Sequence, residues 1–121
     1  MTILDIYTAL QQQLKPIGLN IYKEFKPTSE KNNCIVLNSV PISKNNVNTV
    51  NDIIIFLYLN KISGTFDFIK AQSLFSQISS SIKSVIIGSS LVTLTEKLDP
   101  NTINIDDSWT ASEFSFRLIT H

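Results

Sequence analysis

The chain has 121 residues, of which 43% are hydrophobic and 17% are charged, and its ten basic and ten acidic residues balance to a net charge of zero. This length predicts one domain, 1–121, which buries roughly two-thirds of the surface of its unfolded chain. No cluster of Lys and Arg falls on one predicted face, so we expect neither sequence-specific nucleic-acid binding nor attraction to an anionic membrane.

The first predicted element is an amphipathic helix that starts near the N-terminus and ends at Pro16 and Gly18. Its apolar residues recur at helical spacing and are Ile3, Ile6, Tyr7, Leu10 and Leu14. The same segment has no positively charged start and no small-residue cleavage site, so we expect no secretory signal and a protein made in a cytoplasm. No apolar stretch reaches the ~20 residues that a membrane-spanning helix needs.

Three strands are predicted next. Residues 19–26, LNIYKEFK, alternate so that Leu19, Ile21, Lys23 and Phe25 share one side. After the turn-rich PTSEKNN, a second strand covers 34–42, and its Cys34 is expected to be a small buried hydrophobe rather than a reactive thiol. The third strand begins near Asp52 and runs to about Lys61.

Residues 43–52, SKNNVNTVND, connect the second and third strands and are polar and rich in Asn. We predict that they form the tip of a long hairpin. A tip with so few apolar anchors is expected to be mobile until a partner orders it.

The second half of the chain begins with the longest predicted helix, which covers 67–86 after a break at Ser63 and Gly64. A fourth strand at 90–98, a loop at 99–110 and a half-buried terminal strand, ASEFSFRLITH, follow. The order α-β-β-β-α-β-β predicts an α+β fold. We expect a two-layer sandwich, with both helices on one face of a mainly antiparallel sheet of about five strands.

The stretch IIIFLYL, residues 53–59, is apolar on both faces of the third strand. Its two alternating sets are Ile53, Ile55, Leu57 and Leu59, and Ile54, Phe56 and Tyr58. One set packs beneath the helices, and the sequence leaves open which. The other would form an open-face patch that soluble monomers seldom expose. We predict that this patch is a subunit interface; the alternative is that loop 43–52 or 99–110 folds over it.

The sequence carries no motif for catalysis, a metal or a cofactor. The one histidine, His121, is expected to be a solvated end, and Asp106 and Asp107 suit turn capping better than acid–base work. No Gly-rich phosphate loop, CxxC pair or HExxH occurs. We therefore expect no enzyme, no bound metal and no cofactor. Trp109 is expected to anchor a loop or the core, with a partner contact as the alternative.

Three stretches resemble the tail terminator, or tail completion, proteins of long-tailed bacteriophages. They are ILDIYTALQQQL followed by LNIYKEF, NDIIIFLYLN leading into FDFIKAQSLFSQISSSI, and the closing SWTASEFSFRLI. The resemblance implies a virion structural protein of the tail or neck, assembled in the host cytoplasm. It implies a ring of six copies that caps the head-proximal end of the tail tube, stops tube polymerisation and provides the head-joining surface. Its implied partners are the tube protein and head-completion or connector proteins, with DNA passing through the lumen.

On this resemblance the open-face set meets a neighbouring subunit, and the hairpin tip reaches the ring or the tube. The predicted interface residues are Ile54, Phe56, Tyr58, Asn45, Asn46, Val47, Val50 and Trp109. Two other functions stay open. One is a different neck or head–tail joining protein. The other is a small ligand-binding or regulatory α+β domain with an apolar pocket on the sheet face, lined by the open-face set.

Overall fold

The computed structural model of the protein describes residues 3–44, 49–82, 84–87 and 90–120, with side chains at 4–39, 52–82 and 102–117. The helices are α1, Ile3–Leu14, and α2, Phe68–Ser81. The strands are β1, Asn20–Lys23; β2, Cys34–Lys44; β3, Thr49–Asn60; β4, Ser84–Ile87; β5, Ser90–Asn104; and β6, Trp109–Thr120. In these ranges, no helix has both the length and the apolar character needed to cross a membrane.

The described strands form one sheet in the order β1-β2-β3-β6-β5-β4. Strand β1 runs parallel to β2, and every other pair is antiparallel. The predicted α+β fold, with two helices against a mainly antiparallel sheet, is confirmed. The predicted order α-β-β-β-α-β-β is also recovered, and the short strand β4 is added at an edge of the sheet.

The burial pattern of β3 shows which of its two faces meets the helices. The side chains of Ile53, Ile55, Leu57 and Leu59 are buried in one core cluster with both helices. The helical members of that cluster are Ile6, Tyr7, Leu10, Leu14, Ala71, Leu74 and Ile78, and Ile82 joins it directly after α2. Ile54, Phe56 and Tyr58 therefore lie on the opposite, open face, where all three are half-buried.

The second helix is shorter than predicted. It ends at Ser81 rather than at residue 86, and Ser84–Ile87 forms β4, which pairs with the start of β5. The Ser-rich end of α2 is a mediocre helix former. The β-branched residues of the SVII segment favour a strand instead.

The predicted loop 99–110 was wrong for most of its length, because β5 continues to Asn104. Its pairing with β6 shifts register twice, between Glu96 and Leu98 and between Leu98 and Asn101. The second irregularity spans Pro100, which has no N–H to donate to a ladder. The connection to β6 is therefore residues 105–108.

The hairpin between β2 and β3 is longer than predicted. Its described arms stay paired at Ser43 with Val50 and at Lys44 with Thr49, so much of 43–52 is strand rather than loop. Of the predicted interface residues in this segment, Val50 belongs to β3. Asn45, Asn46 and Val47 lie outside the described residues.

The first strand is shorter than predicted and ends at Lys23. Glu24 then adopts a positive φ of 74°, which turns the chain out of the sheet. As a result the side chain of Phe25, predicted to lie on the buried side, is 70% exposed.

Candidate interaction surface

The connection from β1 to β2 covers one end of the open face. Because these two strands are parallel, residues 24–33 must return across a face of the sheet, and the helices occupy the other face. We call residues 24–33 the strap. The Nζ atom of Lys26 in the strap lies 4.5 Å from the ring centroid of Trp109, at the start of β6. Such a cation–π contact contributes about 0.5–1 kcal/mol at a partly exposed site.

A buried carboxylate fastens the strap to β1. Glu30 is only 7% exposed and accepts hydrogen bonds from the Tyr22 hydroxyl, from Asn20 Nδ2 at 2.8 Å and from the Asn32 backbone N–H at 3.0 Å. The Tyr22 bond, followed by those from Asn20 and Asn32, lowers the pKa of Glu30 from 4.5 to about 2. The same bond raises the pKa of Tyr22. The strap is therefore held by a charge-assisted network.

The network makes stability depend on acidity. Because the pKa of Glu30 is 4.5 without its partners and about 2 in the fold, its contribution is complete above about pH 4.5 and is lost as the pH falls towards 2. Glu30→Gln is expected to lower the free energy of unfolding at pH 7 and to flatten its fall between those pH values. Tyr22→Phe removes the hydrogen bond that lowers the pKa of Glu30 most. It should therefore also lower the free energy of unfolding at pH 7 and flatten its fall. Urea titrations from pH 2 to 7 measure both effects, and a Glu30→Gln curve parallel to wild type would contradict the assignment.

The thiol of Cys34 lies at the covered end of the open face, opposite Tyr58 of β3. It is fully buried, as predicted, and free of any disulfide. Burial first, and then the nearby Glu30 charge, raise its pKa from 9.0 to about 11, although Lys26 acts in the opposite direction. A thiol of this kind behaves as a packing group rather than a nucleophile.

Three aromatic rings run in contact along the open face. Trp109 meets Tyr58 edge-on at a centroid distance of 6.5 Å, and Tyr58 lies 6.4 Å from Phe56. The position of Trp109 is set by Asp106, whose Oδ1 accepts from the N–H groups of Ser108 and Trp109 at 2.7 and 2.9 Å. Asp106 thus has the turn-capping role expected of it, and Trp109 links the strap to this aromatic row.

Beyond the strap, the open face carries an apolar patch with a polar rim. We define the open-face patch as Ile54 and Phe56 of β3 with the half-buried residues opposite them, Asn38 of β2 and Glu113 and Ser115 of β6. All five side chains are half-buried. Val36 of β2, also opposite Phe56, is buried and is not part of the patch. An ion pair between Arg117 Nε and Asp52 Oδ1, at 3.2 Å, lies at the far end. Among the described residues, therefore, the strap covers the end of the open face at Cys34 and Val36, which are buried. Ile54, Phe56 and Tyr58 of β3 all stay half-buried.

A second apolar surface lies on the helix side of the sheet, where α2 leaves part of β5 and β6 uncovered. It is a cavity of about 290 Å³, which we call the helix-side groove, lined by Phe66, Phe68, Ala71, Gln72, Phe75, Thr102, Ser112 and Phe114. Phe75 stacks on Phe114 at 4.8 Å, and Phe66 meets Phe68 edge-on at 6.3 Å. Phe68 is 60% exposed.

The helical spacing of Phe68 and Phe75 predicts two core residues, so sequence reasoning missed this groove. The available signal was the number of elements: two helices cannot cover one face of a sheet with this many strands. Within the described part of the chain, no group of three or more His, Cys, Asp and Glu side chains is arranged to hold a metal ion.

No protein-family model matches the chain, and no curated protein matches it significantly. Its fold is shared with solved structures. A chain from the virion of a native gene transfer agent particle matches with a TM-score of 0.71 at 15% identity, over 95% of this chain and 93% of that one. A second solved structure, of a protein whose name describes no activity, has a TM-score of 0.69 at 9% identity, over 100% of this chain and 96% of the other.

Proposed function

We propose that this protein is a virion structural protein, a tail terminator whose copies form a closed ring of six at the head-proximal end of a tail tube. The observation that carries the proposal is the open-face patch, on a fold shared over nearly its whole length with a chain of a virion particle. The resemblance of three sequence stretches to tail terminators supports the same function.

The chemistry of the patch suits a contact between proteins. It has an apolar centre, Ile54 and Phe56, and a polar rim, which is the anatomy of a protein interface. Covering a few hundred Å² of apolar surface supplies a gross driving force of roughly 5–10 kcal/mol. Association costs about 4–15 kcal/mol, so one such contact holds a pair weakly. In a closed ring every copy makes two contacts, and the ring is correspondingly more stable than an open chain.

Ring closure also accounts for the proposed activity. A contact between two different patches on identical copies gives a ring when its rotation closes, and a filament when it does not. A ring that matches the tube on one face and the head connector on the other ends tube growth, because its outer face offers no site for another tube subunit. The chain needs no catalytic group for this function.

Deletion of the gene from the genome that encodes the chain tests the proposal. Without a terminator, tails are expected to be headless and of uncontrolled length in negative-stain images. Gold-labelled antibody against the protein should mark a single site per wild-type particle, at the junction of head and tail. Tails of normal length in the deletion strain, or label spread along the tube, would contradict the terminator function. Headless tails of normal length would instead indicate a different neck or head–tail joining protein.

A further inference from the structure

We infer that the open-face patch of one copy docks on the helix-side groove of the next copy, with Phe25 as the inserted side chain. This inference rests on the proposed function, because it names the partner surface for the ring contact. The groove is occupied by a second copy of this chain.

The sheet separates the two surfaces. Ile54 and Phe56 project from one face, and Phe75 and Phe114 lie on the other, so the two surfaces of one copy cannot touch each other. Two open faces packed together would give an isologous pair that ends at a dimer. A contact from open face to groove leaves one unused surface at each end, and copies add until the ring closes.

Phe25 stands beside the open-face patch and points away from its own core. Asn38 Nδ2, in the patch, donates to the Glu24 carbonyl at 3.3 Å, which places the Glu24–Phe25 turn at its rim. The turn is fixed by hydrogen bonds from the Glu24 N–H to the Leu37 carbonyl at 2.8 Å and from the Phe25 N–H to the Lys23 carbonyl at 2.9 Å. A positive φ is unfavourable for a residue such as Glu24, and strain of this kind concentrates at functional positions.

The groove has the size and the lining to receive a phenyl ring. Its volume is about 290 Å³, and a dry apolar cavity of roughly 150 Å³ is enough to bind benzene. The rings of Phe66, Phe68 and Phe75 line it, and aromatic rings favour edge-to-face and offset-stacked neighbours. An inserted Phe25 would also cover Phe68, which solvent now reaches.

Cross-linking between cysteine variants tests the contact. Phe25→Cys and Gln72→Cys place one thiol on each surface, and a short bismaleimide joins thiols that lie close together. Because loss of the Phe25 ring weakens the contact, the reaction is run at a protein concentration more than tenfold above the one at which wild type assembles. The double variant is expected to give a ladder of covalent oligomers that ends at the ring, whereas a mixture of the two single variants should stop at covalent dimers. Each single variant alone, and wild type with its buried Cys34, should stay uncross-linked.

Alanine variants give an independent measurement. Phe25→Ala is expected to weaken assembly at least tenfold, measured by sedimentation over a concentration series. Ile69→Ala is the matched control: Ile69 is 80% exposed on the same helix as Phe68, and its loss should leave assembly unchanged. Rings in negative stain without cross-links between positions 25 and 72 would overturn this inference and leave the proposed ring intact. Cross-linked dimers of Phe25→Cys alone would also overturn it, since they require two open faces in contact. The absence of any oligomer would remove the proposed function as well.

Discussion

Phe56→Asp is expected to leave the protein folded and to abolish its assembly. In the free protein the new carboxylate sits on the half-buried open face, where water still reaches it. In an assembled ring it would be buried without a partner and would face Glu113, directly opposite on β6. Burying an unpaired charge costs several kcal/mol, so the dissociation constant should rise at least a hundredfold, or about 2.7 kcal/mol. Sedimentation measures the loss of assembly, and far-ultraviolet circular dichroism checks the fold.

Ile55→Asp is the matched control, one residue away on the same strand. The side chain of Ile55 is fully buried and lies opposite Leu37 and Phe114. An Asp carboxylate at position 55 would have no partner in the free or the assembled protein. The cost of burying it is comparable to the whole 5–15 kcal/mol of a typical folding free energy. This variant should unfold. If Phe56→Asp lost its helical signal to the same degree as Ile55→Asp, the open face would be part of the core. The proposal that it forms an interface between copies would then be wrong.

Phe114→Ala is expected to lower the free energy of unfolding by about 3–5 kcal/mol, the usual cost of truncating a buried phenylalanine. Phe114 is 1% exposed and its ring stacks on Phe75 at 4.8 Å, with an interplanar angle of 28°. Urea unfolding should show a lower midpoint with little change in slope, because the surface exposed on unfolding is almost unchanged.

Phe75→Ala serves as the control for Phe114→Ala, because Phe75 is only half-buried at the groove. Its truncation should lower the free energy of unfolding by less, about 1–2 kcal/mol, in proportion to its smaller burial. The loss of unfolding free energy in the Phe75→Ala, Phe114→Ala double variant should be smaller than the sum of the two single losses. The difference should be roughly the 0.5–1.5 kcal/mol that an aromatic pair contributes. A larger loss for Phe75→Ala than for Phe114→Ala would contradict the described packing.

Local patterns in the sequence predicted most of the fold. The 3.6-residue period identified α1, and alternation identified β3 and β6, because each of these elements buries one side against a single core. The pattern failed where the same residues are compatible with either a helix or a strand. The apolar run at 85–87 continues the helical spacing of α2, yet its β-branched residues pair as a strand once β5 offers an edge.

The candidate surface depended on long-range pairing that a local pattern does not encode. The segment PTSEKNN predicts a turn, but its role as a strap follows from the parallel pairing of β1 with β2. The two sets of IIIFLYL are equally apolar, so only their neighbours decide which one is buried. The helix-side groove likewise depends on where α2 lies across the sheet. Its phenylalanines were visible in the sequence, but their exposure was not.

The mass of the purified protein in solution tests the central claim most directly. Light scattering over a concentration series, with negative-stain images of the heaviest species, should reveal rings of about 82 kDa, six times the 13.6 kDa of one chain. Phe56→Asp measured in parallel should remain at 13.6 kDa. A wild-type protein that stays monomeric at every concentration, indistinguishable from Phe56→Asp, would contradict a ring built through the open-face patch.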